Sequence, residues 1–244
     1  MEILGIDVGG TGIKGAIVNT ETGELISKRR RRIATPQPAT PEAVAETIQK
    51  LIEHFKWEGP VGCGFPTPLK NGKCLTGGNL HKDWKNLKVD DFFKNKTGNT
   101  FSVVNDADAA GLAEITFGAG KGVKGTVIMI TLGTGIGSAL FLDGKLVPNT
   151  EFGHVLHKNG SIFEKYAADS VRIEENLSRK QWGKRLHKYF KHINLLLSPD
   201  LIIIGGGSSK KFSKFEAQIN IDTEITPAKA ENDAGIIGAA LSAV

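Results

Sequence analysis

The stretch of this chain best suited to chemistry lies near its start, where an apolar segment runs into an aspartate and a cluster of glycines. Residues 3–18 read Ile-Leu-Gly-Ile-Asp-Val-Gly-Gly-Thr-Gly-Ile-Lys-Gly-Ala-Ile-Val. Glycine tolerates positive φ and carries no side chain, so backbone N–H groups in such a turn can converge on an anion. Thr11 and Lys14 add a hydroxyl and a positive charge. The stretch predicts a β-hairpin with a phosphate-binding tip, and an ordinary Gly-rich hairpin is the alternative.

Asp7, which ends the first apolar segment, has a different predicted role. A carboxylate repels phosphate, so direct contact between the two is unfavourable. Mg²⁺ binds through one or two carboxylates, keeps several waters and bridges to phosphate oxygens. We therefore predict that Asp7 positions a hydrated Mg²⁺, and the alternative is a surface aspartate beside a turn.

A second copy of this pattern occurs about half a chain length later. Residues 126–141 read Thr-Val-Ile-Met-Ile-Thr-Leu-Gly-Thr-Gly-Ile-Gly-Ser-Ala-Leu-Phe, and aligning Gly133 with Gly10 gives five identities in eight positions. The repeat indicates an internal duplication with one phosphate loop in each half. The second copy lacks counterparts of Asp7 and Lys14. The first loop is therefore predicted to serve the metal and the transferred phosphate, and the second to bind a neighbouring phosphate through its backbone.

A candidate general base follows a buried strand in the middle of the chain. Residues 101–114 read Phe-Ser-Val-Val-Asn-Asp-Ala-Asp-Ala-Ala-Gly-Leu-Ala-Glu. We predict a strand that ends at Val104 and then a helix of small residues, so Asn105 and Asp106 lie where open α/β sheets bind ligands. An ionised carboxylate at a helix N-terminus can accept a hydroxyl proton. Asp108 competes with Asp106, which lies nearer the strand end, and a plain N-cap is the alternative.

Several polar and aromatic residues are candidates for sugar recognition. Asn79 and Trp84 lie in a Gly-rich loop, where an amide pairs with hydroxyls and an aromatic face suits a pyranose ring. Glu151 and His154 are three positions apart and could converge on neighbouring hydroxyls, and Glu164 could reach the same pocket from a helix. The alternatives are that Asn79 is a turn residue, that Trp84 is a half-buried anchor, and that Glu151 and His154 are ordinary surface residues.

A basic run, Lys-Arg-Arg-Arg-Arg at residues 28–32, lies on a third strand predicted over residues 25–34. Side chains alternate between the two faces of a strand. One face would carry Arg29 and Arg31, and the other Arg30 and Arg32. A track for a polyanionic phosphoryl donor and a solvated edge strand both remain open for this run.

A second basic segment, residues 205–214, reads Gly-Gly-Gly-Ser-Ser-Lys-Lys-Phe-Ser-Lys after an apolar strand. It predicts a glycine turn that opens a helix. A helix N-terminus with Lys210 and Lys211 nearby would form an anion site.

Three helices are predicted from their patterns. Thr40 and Pro41 mark the start of a helix that continues to Phe55. The interval 178–198 shows the apolar periodicity of an amphipathic helix that contributes to the core. Residues 232–240 form a small-residue helix that should pack tightly against a neighbour.

Composition bounds the class of protein. The chain has 244 residues, of which 40% are hydrophobic, enough for two domains of about 120 residues each. Its net charge of +5 favours an anionic partner. Neither a membrane-spanning apolar stretch nor a signal peptide is evident, and Cys63 and Cys74 form neither a CxxC motif nor a disulfide framework. We therefore expect a cytoplasmic protein.

Six motifs, in order along nearly the whole chain, resemble those of ROK-family sugar kinases. They are Asp7-Val-Gly-Gly-Thr-Gly-Ile-Lys14, Asn105-Asp106, Leu132-Gly-Thr-Gly-Ile-Gly-Ser138, Glu151-Phe-Gly-His154, Gly205-Gly-Gly207 and Ala-Gly-Ile-Ile-Gly-Ala-Ala at 234–240. Longer segments at 35–45, 105–114, 148–154 and 198–207 resemble the polyphosphate glucokinases of that family in particular.

The resemblance implies an α/β, actin-like (ribonuclease H-like) duplicated two-domain sugar kinase fold with an active-site cleft between the domains. Residues 1–108 and the C-terminal helix 231–244 would form a small N-terminal domain, and residues 109–230 a larger C-terminal domain. A homodimer is also implied. ROK repressors carry a helix-turn-helix ahead of the first phosphate loop, and Met1 stands two residues before the first strand, so DNA binding is not expected. Membrane binding is not expected either, because no apolar stretch is long enough to span a bilayer.

The resemblance also implies roles for individual residues. Asp106 would be the catalytic base on the 6-hydroxyl of glucose, and Asp7 would position Mg²⁺ through water. The sugar ring would be held by Asn79, Asn105, Glu151, His154 and Glu164. Phosphates would be bound by Gly9, Gly10, Thr11, Lys14, Gly133, Thr134, Gly206, Lys210 and Lys211.

The expected reaction is the phosphorylation of glucose with Mg²⁺ and with inorganic polyphosphate, ATP or both as donor. One alternative is an ATP-dependent ROK hexokinase. Another is a non-catalytic sugar sensor, although a sensor need not retain Asp7, Asp106 and both phosphate loops. Many ROK proteins carry a zinc-binding cysteine cluster after the Glu-x-Gly-His motif, and its absence here means that no zinc is expected.

Overall fold

The computed structural model describes residues 1–27, 30–77 and 80–244. Its strands are β1 (Glu2–Val8), β2 (Ile13–Asn19), β3 (Arg31–Ile33), β4 (Val61–Phe65), β5 (Leu69–Lys70), β6 (Lys73–Cys74), β7 (Phe101–Asn105), β8 (Thr126–Leu132), β9 (Ile136–Leu142), β10 (Lys145–Val147), β11 (Leu201–Gly205) and β12 (Glu224–Pro227). Its α-helices are α1 (Pro41–Phe55), α2 (Val89–Thr97), α3 (Asp106–Thr116), α4 (Glu164–Ala167), α5 (Asp169–Glu174), α6 (Arg179–Leu197) and α7 (Ala234–Leu241). The chain forms two compact units, Met1–Ala113 with Asp233–Val244, and Glu114–Asn232.

The first unit is built on a sheet with the strand order β3-β2-β1-β4-β7. β2 is antiparallel to β1 and β3, whereas β4 is parallel to β1 and to β7. Ile3, Leu4, Ile6 and Val8 of β1 are fully buried, as expected for a central strand that is covered on both faces. The three parallel strands place the residues at their carboxyl ends along one edge of the sheet.

The second unit repeats this arrangement with the order β10-β9-β8-β11-β12. Its first two pairings are antiparallel and its last two are parallel, as in the first unit. The internal duplication predicted from the two glycine hairpins is therefore confirmed and extends to both sheets. The two hairpins, β1–β2 and β8–β9, occupy equivalent places in them.

Local signals determine where the main helices begin. The Thr40 side chain accepts a hydrogen bond from the Ala43 N–H at 3.3 Å and caps α1. Ser178 and Gln181 form a reciprocal capping box at the start of α6. The apolar face of α6 is buried, which confirms its predicted contribution to the core: Trp182, Leu186, Tyr189, Phe190 and Ile193.

Helix α7 packs closely on the first sheet because its own residues and those facing it are small. A Cβ atom at Gly62 of β4 would lie 1.8 Å from the Ala239 carbonyl oxygen. A Cβ atom at Gly238 would lie 1.5 Å from the Ala109 carbonyl oxygen. The tight packing predicted for this helix is confirmed, because a side chain at Gly62 would push α7 off the sheet and one at Gly238 would push it off α3.

The third strand is shorter than predicted. Leu25 makes a single bridge to Val18, and regular pairing resumes only where Gly15 faces Arg31. Three steps along β2 therefore correspond to six steps along its partner, and the extra residues cannot all remain in the ladder. The prediction of a strand over 25–34 is wrong in extent, and its residues 28 and 29 lie outside the described ranges.

The segment after β11 also differs from the prediction. Residues Ser209–Lys214 form a 3₁₀ helix, inside which Lys211 has non-helical angles (φ −118°). The Ser209 hydroxyl donates to the Gly206 carbonyl at 2.8 Å, a local bond that competes with α-helix formation. A short 3₁₀ helix thus follows the glycine turn in place of a longer regular helix, and the anion site beside Lys210 and Lys211 stays a prediction.

Candidate active site

The first phosphate loop is the turn between β1 and β2. It closes through a hydrogen bond from the Gly9 N–H to the Gly12 carbonyl at 3.1 Å, and the buried Thr35 hydroxyl donates to the Gly9 carbonyl. Gly10 and Thr11 at the tip are exposed. The Thr35 hydrogen bond thus fixes the base of the loop, while the tip remains accessible from solvent.

Asp7 and Lys14 form an ion pair directly beneath this loop. They face each other across the β1–β2 ladder, and the Lys14 Nζ lies 3.1 Å from the Asp7 Oδ2. The side chains keep 17% (Asp7) and 29% (Lys14) of their surface exposed, so a ligand can reach both. Pairing with Asp7 holds the lysine ammonium close to the glycine loop.

One arginine of the basic run, Arg32, contacts the same loop. Arg32 stands opposite Lys14 in the β2–β3 ladder and donates to the Thr11 carbonyl at 2.6 Å. Its guanidinium lies over the Cα of Gly12, where a side chain would collide with it. Arg30 is paired with Asp233, Arg31 is exposed, and Arg29 lies outside the described residues. Arg32 therefore lies where it could bind a phosphoryl donor, whereas Arg31 is a solvated side chain and Arg30 is engaged in an ion pair.

The candidate base is accessible, and its competitor is not. Asp106 is the first residue of α3 and is exposed, whereas Asp108 is 1% exposed. The side-chain oxygen of Asn105 accepts hydrogen bonds from the N–H groups of Ala107 (2.9 Å) and Asp108 (3.3 Å). Asn105 is therefore the cap of α3, and a hydroxyl substrate can approach only Asp106 of the two carboxylates.

Asp7 and Asp106 lie on the same edge of the first sheet. Asp7 pairs with Gly64 in the β1–β4 ladder. A Cβ atom at Gly64 would lie 3.8 Å from the Cα of Asp106, and a Cβ atom at Gly235 would lie 3.0 Å from the Cγ of Asp7. Small residues at 64 and 235 thus leave space around the two carboxylates.

The second phosphate loop is held from its own unit. The Gly133 N–H donates to the Gly135 carbonyl at 3.0 Å, and Thr134 at the tip is exposed. The Ser170 hydroxyl donates to the Thr134 carbonyl at 2.6 Å, and the Ser170 N–H donates to the Gly133 carbonyl at 3.1 Å. Helix α5 therefore positions this loop.

Glu151, His154 and Glu164 lie close together in the second unit. The His154 Nδ1 is 3.9 Å from the Glu151 Oε2. Burial raises the pKa of Glu151, the charge of His154 opposes this shift, and the charge of Glu164 adds to it. Glu164 also accepts a hydrogen bond from the Ile136 N–H at 2.8 Å, so it connects this cluster to the second phosphate loop.

We expect Glu151→Gln to weaken glucose binding more than donor binding, because it removes an ionised acceptor from the ring pocket. The raised pKa means that folding favours the protonated carboxyl. This stabilisation is complete below the unfolded-state pKa and is lost as the pH rises through the folded-state pKa. The variant should therefore melt no lower than the wild type at neutral pH.

Glucose affinity and melting temperature measured between pH 5 and 8 test this prediction. Wild-type affinity should fall toward the acid end, and this fall should be smaller for Glu151→Gln. Equal losses of glucose and donor affinity, or a lower melting temperature at neutral pH, would show that Glu151 is structural.

The remaining predicted site residues are placed as follows. Asn79 lies outside the described residues. Trp84 is fully buried, donates to the Ala39 carbonyl at 2.8 Å and packs on Phe65. It is therefore a core residue, neither a sugar contact nor a half-buried anchor. Gly206, Lys210 and Lys211 are exposed at the turn after β11.

The sequence interpretation missed a cluster beside that turn, formed by Asp169, Arg172, Arg179 and Ser208. The Asp169 Oδ1 lies 2.5 Å from the Arg172 Nε and 3.2 Å from the Arg179 Nη1, and the latter donates to the Ser208 hydroxyl at 3.3 Å. These residues come from three separate elements. Their only local signal was the presence of basic residues near the start of an amphipathic helix.

The described residues contain neither a metal-binding cluster nor a membrane-spanning helix. Within residues 1–27, 30–77 and 80–244, no group of three or more His, Cys, Asp and Glu side chains is arranged to hold a metal ion. Burial, and then the charge of Asp7, raises the pKa of the Cys63 thiol, which therefore stays protonated. No helix in the described part of the chain is long and apolar enough to cross a membrane.

The duplicated sheets with a glycine hairpin at the same place in each define an actin-like, ribonuclease H-like α/β fold. Residues 3–168 match the ROK family, and the chain belongs to that family. It is 44% identical over 242 residues to a polyphosphate glucokinase of Mycobacterium tuberculosis, covering 99% of this chain and 91% of the relative.

Solved structures agree with this assignment. The inorganic polyphosphate/ATP-glucomannokinase of Arthrobacter sp. strain KM superposes with a TM-score of 0.93 at 45% identity, covering 98% of this chain and 97% of that one. A ROK-family glucokinase of Streptomyces griseus in complex with glucose and AMPPNP gives a TM-score of 0.85 at 22% identity, with 98% of both chains covered, a similarity of fold. The family and fold predicted from the six motifs are confirmed.

Proposed function

We propose that this protein transfers a phosphoryl group from inorganic polyphosphate to the 6-hydroxyl of glucose and that ATP can replace polyphosphate. The observation that carries the proposal is the exposed Asp106 at the sheet edge that also holds Asp7, Lys14 and the first phosphate loop. The similarity to a polyphosphate glucokinase and to a polyphosphate/ATP-glucomannokinase supports both donors. A sugar sensor would not need this machinery.

Asp106 accepts the proton of the 6-hydroxyl as that oxygen attacks the terminal phosphorus. The bond between the terminal phosphorus and its bridging oxygen breaks, and its electron pair stays on the shortened donor. Lys14 and the N–H groups of the first loop stabilise charge on the transferred phosphoryl group. Glu151 and His154 hold hydroxyls of the ring, with Asn79 and Asn105 as further proposed contacts.

Asp7 is the proposed ligand for Mg²⁺. A single, partly exposed carboxylate fits an ion that keeps most of its waters and takes its other ligands from phosphate. When bound, Mg²⁺ would neutralise phosphate oxygens. The Lys14 ammonium donates to the Asp7 carboxylate, so it is already positioned beside the site where Asp7 would hold the hydrated metal.

The direct test measures glucose 6-phosphate formed with long-chain polyphosphate and, separately, with ATP at equal free Mg²⁺. We expect activity with both donors. Activity with ATP alone would identify an ATP-dependent ROK hexokinase, and glucose binding without activity from either donor would identify a sensor.

Arg32 offers a test of the first loop as the donor site. Arg32→Gln should weaken polyphosphate binding about 10- to 150-fold, because a charge-assisted hydrogen bond to phosphate is worth roughly 1.5–3 kcal/mol. Arg31→Gln is the matched control, since Arg31 is also exposed on β3 but extends from its other face. Titration of both variants with polyphosphate shows whether the donor contacts Arg32 and not Arg31. Identical affinities would mean that Arg32 only braces the Thr11 carbonyl.

We further propose that residues 1–108 with 231–244, and residues 109–230, act as separate domains of a cytoplasmic homodimer. Leu195 and Leu196 near the end of α6 are 79% and 55% exposed, and such apolar residues favour a self-association surface. Light scattering during size-exclusion chromatography tests the dimer. A monomeric mass at micromolar concentration would rule it out.

A further inference from the structure

Two arginines in the second unit share one carboxylate. Asp169 at the start of α5 binds Arg172 of the same helix and Arg179 of α6 through the same oxygen. Burial alone would raise the pKa of Asp169, but the hydrogen bond from Arg172 and the charges of both arginines outweigh it and lower the pKa. Asp169 is therefore ionised, and the trio keeps one excess positive charge.

The guanidinium groups are fixed in place yet accessible. They lie over the fully buried Trp182 ring, with the Arg172 and Arg179 Cζ atoms 6.0 Å and 5.2 Å from its centroid. Each side chain is 18% exposed. In the described ranges, their hydrogen bonds use the Arg172 Nε and the Arg179 Nη1. Their other N–H groups are left for a ligand.

The pair lies beside both glycine turns of its unit. Arg179 donates to Ser208 in the turn after β11, and Ser170, next to Asp169, binds both Gly133 and Thr134 of the second phosphate loop. β8 and β11 are neighbouring parallel strands, so the turns leave the sheet side by side.

The turn after β11 also touches the end of β8, just before the second phosphate loop. Gly206 has a φ of +76°, and a Cβ atom there would lie 2.7 Å from the Leu132 carbonyl oxygen. Only a glycine allows the turn after β11 to pack against the end of β8 in this conformation. Backbone from both turns and two guanidinium groups therefore border one small area.

We propose that Arg172 and Arg179 form a phosphate subsite that binds a phosphate of the donor chain next to the one bound by the second phosphate loop. The inference rests on the proposed function, because it assigns this subsite to the same donor. Guanidinium groups match phosphate oxygens bidentately, and a pair preorganised on Trp182 loses little side-chain freedom on binding. The shared ligand chemistry is an oligophosphate, from either inorganic polyphosphate or a nucleotide.

Arg179→Met is the test variant, and Arg185→Met is the matched control. Arg185 also lies on α6 and packs 4.7 Å from the centroid of an aromatic ring, that of Tyr166. In the described ranges its hydrogen bonds go to the Glu175 carboxylate and the Tyr166 carbonyl, and not to either glycine turn. Arg179→Lys keeps the charge and removes the bidentate geometry. Binding of tripolyphosphate, long-chain polyphosphate and Mg-ATP is measured at several salt concentrations, together with glucose affinity and melting temperature.

We expect Arg179→Met to weaken long-chain polyphosphate binding about tenfold and to reduce the slope of log affinity against log salt by about one, the effect of one lost phosphate contact. Arg179→Lys should be intermediate, and glucose affinity and the control should be unchanged. A larger loss for polyphosphate than for Mg-ATP would assign the subsite to the inorganic chain, and an equal loss would assign it to a phosphate that both donors share.

A lower melting temperature with unchanged donor affinity and salt slope would overturn the subsite and leave the proposed function intact. A wild type that neither binds polyphosphate nor uses it to phosphorylate glucose would overturn the polyphosphate donor, and with it the extended subsite. The two failures are distinguishable because the second appears before any residue is changed.

Discussion

Replacing Asp106 by asparagine is expected to lower turnover by about 10²–10⁴-fold, the usual contribution of a general base. Asparagine keeps the size and hydrogen-bonding shape of the side chain but cannot accept the proton of the 6-hydroxyl. Because Asp106 is exposed, the variant should fold and bind glucose normally. Steady-state kinetics with calorimetric glucose binding measures both.

Asp108→Asn is the natural comparison, because Asp108 lies in the same first turn of α3 but is 1% exposed. We expect it to lower the melting temperature while folded molecules keep most of their turnover. The opposite pattern, near-normal turnover for Asp106→Asn and a large loss for Asp108→Asn, would transfer the role of base to Asp108.

Raising the salt concentration from about 50 to about 200 mM at fixed free Mg²⁺ is expected to weaken polyphosphate binding by about 10²-fold. This magnitude follows, by analogy with nucleic-acid phosphates, if the bound polyphosphate chain contacts four cations. Polyphosphate offers neither a base nor a ribose, so its binding must depend on such charges. Glucose is neutral, and its affinity should barely change.

The same titration tests the exposed lysines after β11. Neutralising Lys210 and Lys211 together should flatten the salt dependence if both contact the donor chain. Donor affinity that is insensitive to salt would exclude a charge-based polyphosphate site altogether. A steep response that persists in the double lysine variant would show that Lys210 and Lys211 do not contact the donor.

Features that depend on neighbouring residues could be predicted from the sequence. Both glycine hairpins, the cap at Thr40 and the start of α6 follow from residues a few positions apart, so their local patterns were sufficient. The repeated glycine motif also predicted the duplication, because equivalent turns require equivalent strands around them. The position of Asp106 after β7 also followed from a local pattern, an apolar strand that runs into a helix of small residues.

Other features depend on residues that are distant along the chain. The exposure that separates Asp106 from Asp108 is set by what packs on α3, including the close contact between Ala109 and Gly238 of α7. The register slip between Leu25 and Arg31 brings Arg32 opposite Lys14 and over Gly12. Neither the packing nor the slip leaves a periodic trace in the sequence.

The pair formed by Arg172 and Arg179 shows most clearly why some features could not be predicted from the sequence. Asp169, Arg179 and Ser208 belong to α5, α6 and the turn after β11, and each by itself reads as an ordinary surface residue. Their shared charge and hydrogen bonds arise only when α6 buries Trp182 and the two glycine turns leave neighbouring strands side by side. Local propensity encodes the individual elements, whereas the joining of distant charges depends on the packing of the whole unit.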